Sequence, residues 1–210
     1  PVNALGHALR VGLEKAFNEA NADPGVKAIV LTGTGRFFSA GADITEFRSE
    51  MKEPYLPQLI DRIEASAKPV VAAVNGMACG GALYMLGEAD IIIAAEHATF
   101  FDPHVTYGMI AGFEHLEMLS KIPLPEVMRM SLLGAHERMG AGGPRGIGRV
   151  TEVVPRDDLR ERAAWGARVI ADSPPLVTGE LVCCQTTARP ATTRNAIDDT
   201  VSPSPTRPVP

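Results

Sequence analysis

Two stretches of this chain share one grammar, and it is the grammar of acyl chemistry. Arg36-Phe37-Phe38-Ser39-Ala40-Gly41-Ala42-Asp43 follows one β-branched run, and PVVAAVNGMACGG (residues 69–81) contains another. Each runs into a turn of small residues and then toward a helix start. Small residues leave backbone N–H groups uncovered, and a helix N-terminus adds positive potential. Two such turns facing one another would offer two N–H donors to one oxygen. That is an oxyanion hole, suited to an enolate or a tetrahedral intermediate built from a thioester or another acyl group. For Gly80-Gly81 taken alone, the plainer reading is a tight strand-to-helix turn that binds nothing.

The elements that must position these turns follow from periodicity. Leu5, Leu9, Leu13, Phe17 and Ala20 recur at helical spacing, with Asn3 as the expected N-cap and Asp23-Pro24-Gly25 as the break. Val26–Thr32, Val70–Val74 and Ile91–Ala95 read as buried strands, with helices around Leu56–Ala67 and Gly81–Glu88 between them. Further along, Pro125–Leu133 reads as a helix, Val150–Val154 as a strand, and Asp157–Ala171 as an amphipathic helix capped by its Asp pair. Strands alternating with helices imply an α/β fold with a largely parallel sheet. Asp90 is expected to serve structure at the start of a strand, Asp102 to form a turn, and Asp43 to cap a helix.

Composition narrows the function. The chain has 210 residues, 45% hydrophobic and 21% charged, with a net charge of −5. That suits one soluble domain, or a domain plus a tail, and gives no reason to expect nucleic acid. No apolar run approaches the roughly 20 residues of a membrane span. No basic segment leads into an apolar one at the start, so no secretory signal is expected. Cys79, Cys183 and Cys184 form neither a disulfide framework nor a zinc spacing. A cytoplasmic protein holding no metal is the expectation.

VKAIVLTGTGRFFSAGAD (26–43), KPVVAAVNGMACGG (68–81) and ADIIIAA (89–95), with Asn3-Ala4-Leu5 before them and ERM (137–139) and VTEVVP (150–155) after, occur in one order. In this the chain resembles the crotonase superfamily, the enoyl-CoA hydratase/isomerase family, over roughly Asn3 to Ala171. The resemblance implies a crotonase-like spiral of ββα units and an acyl-CoA thioester as substrate. Coenzyme A would enter as part of that substrate, with no separate cofactor. It implies a homotrimer or hexamer and oxyanion donors on the backbone N–H groups of Ala42 and Gly81. Coenzyme A would run past Ala40, Ala42 and Asp43.

The catalytic positions depart from the family pattern. Where a hydratase carries two glutamates this chain has Tyr84 and His104. Glu114, at a position usually glycine, is a third candidate. Hydration needs one group to activate water and one to deliver a proton to carbon. An imidazole near pKa ~6.5 suits both, whereas a phenol near ~10 would donate but make a poor base. Each has a plainer reading as well: Tyr84 as a core aromatic, His104 as a bond to its loop, Glu114 as a helix-start carboxylate. His115 is expected to point away from the site.

Two regions break the pattern. GAGGPRGIG (140–148) replaces an expected helix, and Thr186–Pro210 carries five prolines and no apolar periodicity. The family's N-terminal hairpin and C-terminal helices are not recognised, and residues 140–148 and 178–210 resemble frame-shifted coding sequence. A division into an acyl-CoA domain over 1–172 and a disordered tail over 173–210 is expected. The leading function is an enoyl-CoA hydratase or isomerase, a lyase-type enzyme of fatty-acid metabolism. Decarboxylation or hydrolysis become stronger candidates without the glutamates. The alternatives are a non-catalytic acyl-CoA-binding protein and a truncated remnant.

Overall fold

The computed structural model describes residues 2–46, 52–111, 113–119, 121–142, 150–174, 177–178 and 181–182. Most of the GAGGPRGIG segment, Cys183, Cys184 and the proline-rich tail lie outside the described residues.

Four parallel strands form the main sheet in the order β1 (Ile29–Thr32), β2 (Val70–Val74), β4 (Ile91–Ala95), β7 (Glu152–Val154). Ile29 is in register with Val70, Val71 with Ile91, and Ile93 with Glu152. The reason β2 is apolar at every position is visible in its two faces. Val70, Ala72 and Val74 join the large core, with Phe17 of α1 (His7–Ala22), Leu59 and Ile63 of α2 (Leu56–Glu64) and Leu83 of α3 (Gly81–Glu88). Val71 and Ala73 face the other way, against Leu159 and Ala163 of α6 (Leu159–Ala171). A strand covered on both sides loses its alternation, as parallel crossover sheets generally do.

A second, smaller sheet is made of β3 (Ala78–Cys79), β5 (Thr99–Phe101) and β6 (Met139–Gly140), and Ser39 forms a parallel bridge to Ala78. Each turn of the chain thus gives one segment to each sheet before its helix: β1 and Ser39, β2 and β3, β4 and β5. This is the crotonase-like spiral of ββα units. The short strands escape sequence reading because two or three residues carry no period. The chain then continues through α4 (Phe113–Leu119) and α5 (Leu124–Leu133).

Several boundaries are corrected. Asn3 is not the helix cap; α1 starts at His7 after Gly6. Asn3 instead adopts a left-handed φ of 52° and donates through Nδ2 to the carbonyls of Thr34, Phe37 and Phe38 at 3.0, 2.9 and 3.1 Å. Asn75, after β2, pegs the same turn, donating to Gly35 O and accepting from Gly33 N. β1 begins at Ile29 rather than Val26. α2 ends at Glu64 rather than Ala67, because Lys68 precedes Pro69 and is biased away from helix. Asp157 and Asp158 lie in a 3₁₀ turn ahead of α6 and make no side-chain cap bond. Asp90 does serve structure, its Oδ2 accepting from Val70 N at 2.7 Å. Among the described residues no helix is long and apolar enough to cross a membrane.

Candidate active site

The two glycine turns lie against each other. Gly41, with φ +77°, is so close to the second turn that a Cβ there would sit 2.5 Å from Cys79 O and 3.0 Å from Gly81 N. A Cβ on Gly81 would lie 3.6 Å from Ala42 N. The backbone is stitched on both sides: Leu5 N donates to Gly41 O at 2.8 Å, Cys79 N to Ser39 O at 3.2 Å, and Gly41 N to Ser39 Oγ at 3.1 Å. Gly81 opens α3, where the first N–H groups of a helix lack an internal acceptor. Among the described residues neither Ala42 N–H nor Gly81 N–H donates a hydrogen bond.

The flanking residues are more ordinary. Ala40 donates its N–H to Val2 O and accepts from the buried Cys79 thiol. Burial pushes that thiol up to about 11, so it is no nucleophile at neutral pH. Asp43 Oδ1 accepts from Thr45 N and Thr45 Oγ1, at 2.9 and 2.7 Å, which closes a local turn.

Tyr84 and His104 stand in different surroundings. Tyr84 is 3% exposed, within the apolar core around α3. His104 starts the 3₁₀ turn His104–Tyr107 after β5 and is half-buried. Its Cε1 would lie 3.8 Å from a Cβ on Gly80, which places the imidazole beside the second turn. Its Nε2 is 3.8 Å from Oε1 of Glu114, in the first turn of α4 and 8% exposed. His104 and Glu114, read separately from the sequence, are therefore neighbours.

Two expectations are overturned. Asp102 does not merely form a turn; it is 1% exposed, and its Oδ1 accepts a short hydrogen bond from His104 Nδ1 as well as one from His104 N at 3.3 Å. His115 does not point away; its Nε2 lies 2.5 Å from Asp102 Oδ2 and 2.8 Å from Ser131 Oγ of α5. The available signal was Asp-x-His immediately after a strand. A carboxylate there reaches the backbone N–H two residues on, and then the ring. Nothing local marked His115, which arrives from a separate helix.

The charges settle accordingly. Burial pushes the Asp102 carboxyl up, but hydrogen bonds from His104 and His115 outweigh it and hold Asp102 well below the usual carboxylate range. The hydrogen bond to Asp102 raises His104 above its ordinary value against the opposing effect of burial, and the Glu114 charge adds to the rise. With Nδ1–H committed to Asp102, neutral His104 has its lone pair on Nε2, toward Glu114. An oxygen about 2.8 Å from each could sit astride that gap. The arrangement can hold a water or hydroxyl between two acid–base groups, next to two free backbone donors.

Comparison with known proteins gives the family. The family profile described as Enoyl-CoA hydratase/isomerase matches residues 1–198. A probable enoyl-CoA hydratase of Bacillus subtilis is 32% identical over 191 residues, covering 87% of this chain and 73% of that protein. The (7aS)-7a-methyl-1,5-dioxo-2,3,5,6,7,7a-hexahydro-1H-indene-carboxyl-CoA hydrolase of Mycobacterium tuberculosis is 34% identical over 181 residues, 81% of this chain and 70% of that one. The crystal structure of an enoyl-CoA hydratase/isomerase from Mycobacterium paratuberculosis superposes with a TM-score of 0.78 at 35% identity, covering 94% of this chain and 80% of that one. The chain belongs to the enoyl-CoA hydratase/isomerase family of the crotonase superfamily and is an enzyme of that family.

Proposed function

We propose that this enzyme adds water to a 2-enoyl-CoA thioester, with His104 and Glu114 in place of the usual pair of glutamates. The thioester oxygen sits on the N–H groups of Ala42 and Gly81, and coenzyme A, as part of the substrate, passes along Ala40–Asp43. Water is held between His104 Nε2 and Glu114. His104 takes one of its protons as the oxygen bonds to C3, and the electron pair of the double bond moves onto the thioester oxygen as an enolate. The imidazolium then returns that proton to C2, which restores the thioester and the neutral base. The 3.8 Å gap between His104 Nε2 and Glu114 Oε1 carries this reading, because it seats one water against both groups.

The test is turnover of purified protein on a panel of 2-enoyl-CoA esters in ¹⁸O-labelled water. Label at C3 of a 3-hydroxyacyl-CoA product is the expected result. A shifted double bond without label would make the enzyme an isomerase. Release of free coenzyme A would make it a thioester hydrolase. Binding of coenzyme A with no turnover on any ester would favour a non-catalytic acyl-CoA-binding protein.

A further inference from the structure

Asp102 carries two imidazoles, and the hydration chemistry uses only one. Its Oδ1 faces His104 Nδ1, while its Oδ2 is buried and has His115 Nε2 alone at close range among the described residues, 2.5 Å away. Its alignment falls short of a regular hydrogen bond, yet no other donor among the described residues reaches Oδ2. Ser131 Oγ stands 2.8 Å from the same nitrogen and donates its one hydrogen to Val127 O at 2.7 Å, so toward His115 it accepts. Two acceptors, one of them a carboxylate oxygen, thus face one ring nitrogen. Nε2 of His115 must carry the proton, because a lone pair there would repel the Asp102 carboxylate.

We infer that His115 is a positioning residue for the acid–base imidazole: its Nε2–H, steadied by Ser131, pins Asp102 so that Oδ1 holds the Nδ1–H tautomer of His104 with Nε2 toward Glu114. The chain of contacts runs from α5 through α4 to the turn after β5, so three successive elements fix one ring. Without His115, Oδ2 is a buried carboxylate oxygen with no partner, and the carboxylate can rotate to regain one. His104 then loses both its tautomer and its aim. This rests on His104 acting as the proposed acid–base group, so the test has an arm that does not depend on turnover.

In that arm, ring-nitrogen NMR on the full chain with ¹⁵N-labelled histidine should show His104 with Nδ1 protonated in the wild type. His115→Phe should give a mixture of tautomers, and His115→Gln, whose amide has two hydrogens for the two acceptors, should keep the wild-type pattern. In the kinetic arm, kcat should fall on the order of 10- to 100-fold in His115→Phe, by analogy with the outer-shell partners that orient metal-ligating imidazoles. KM should stay within about twofold, and His115→Gln should recover most of the loss. The acid limb of kcat/KM should move to lower pH, since His104 loses the Asp102 hydrogen bond that raises it, while Glu114 from α4 still faces His104 and Cys79 of β3 stays near Asp102. Unchanged His104 ring signals in His115→Phe, or no recovery in His115→Gln, would overturn the inference. Should His115→Phe not fold, judged by thermal unfolding, His115→Asn is too short to reach and decides the same question. If the wild type turns over no ester, the hydration reading fails, and the NMR still decides the role of His115.

Discussion

The paired turns and the imidazole cluster are built by opposite means. Around Gly41 and Gly81 the groups on offer are backbone amides, side chains are almost absent, and a Cβ is what the turns cannot accept. Around Asp102, His104, Glu114 and His115 the backbone is ordinary and everything depends on which heavy atoms the side chains carry. The first region is fixed by sterics and by its strand and helix neighbours. The second is fixed by hydrogen bonds among groups drawn from the end of β5, from α4 and from α5. Substitutions should therefore separate the two: adding a methyl group damages the first, and changing one atom at constant size damages the second.

The sharpest break is at Gly41. Its φ of +77° disfavours any side chain, and the Cβ of Gly41→Ala would press on Cys79 O at 2.5 Å. The turn must shift, and with it the Ala42 amide. Turnover should fall by 10²–10³, the cost of losing one oxyanion donor, and stability by about 1–3 kcal/mol, read from steady-state rates and denaturant melts. Turnover within tenfold of wild type would show that the paired amides are not the acceptor site.

At His104 the expectation is nearly as large but different in kind. His104→Ala should lower kcat on the order of 10²–10⁴ while leaving coenzyme A affinity and the melting midpoint nearly unchanged. Glu114→Gln, which keeps size and loses the charge, should cost less. Equal and small effects in both would move water activation elsewhere.

Asp102 gives a pH signature rather than a loss alone. Since Asp102 raises His104, the acid limb of kcat/KM should lie above ~6.5 in the wild type. Asp102→Asn should move it down and lower kcat, because an amide no longer secures the Nδ1–H tautomer. Stability follows the same linkage. The raised His104 stabilises the fold fully below ~6.5, and this is lost as pH rises through its folded value. The lowered Asp102 stabilises it above ~3.9, and this is lost only as pH falls through its strongly acidic folded value. Melting midpoints measured from pH 6 to 9 should decline in the wild type and flatten in Asp102→Asn; parallel curves would deny the coupling.

How much of this was legible in the sequence follows the same division. The strands Val70–Val74 and Ile91–Ala95 and the helix Gly81–Glu88 have the bounds their apolar runs and glycines suggest, because burial on both faces writes itself into every residue. The glycine turns were legible for the same local reason. Asp102 and His115 were not. A buried carboxylate looks like any turn aspartate until its partners are known, and His115 meets it only because α4 and α5 pack where they do. Asn3 misled in the other direction: a good cap residue next to a helix was taken by three carbonyls of a turn some 30 residues away.

Tyr84 is where the two regions could still blur, since it sits one helical turn past Gly81, where the resemblance to the family implies a catalytic group. Its surroundings are core: it is 3% exposed among Leu83, Leu86 and Met85 on a helix buried along its whole length. A phenol placed there stabilises packing, and a hydroxyl buried to that degree calls for a hydrogen-bond partner. Tyr84→Phe keeps the ring and removes only that hydroxyl. Stability should fall by about 1 kcal/mol, the net worth of one buried hydrogen bond, and kcat should stay within about threefold. A drop of 10² or more with an unchanged melt would instead place the phenol in the acid–base set beside His104, and the clean separation between a backbone site and a side-chain site would fail at this residue.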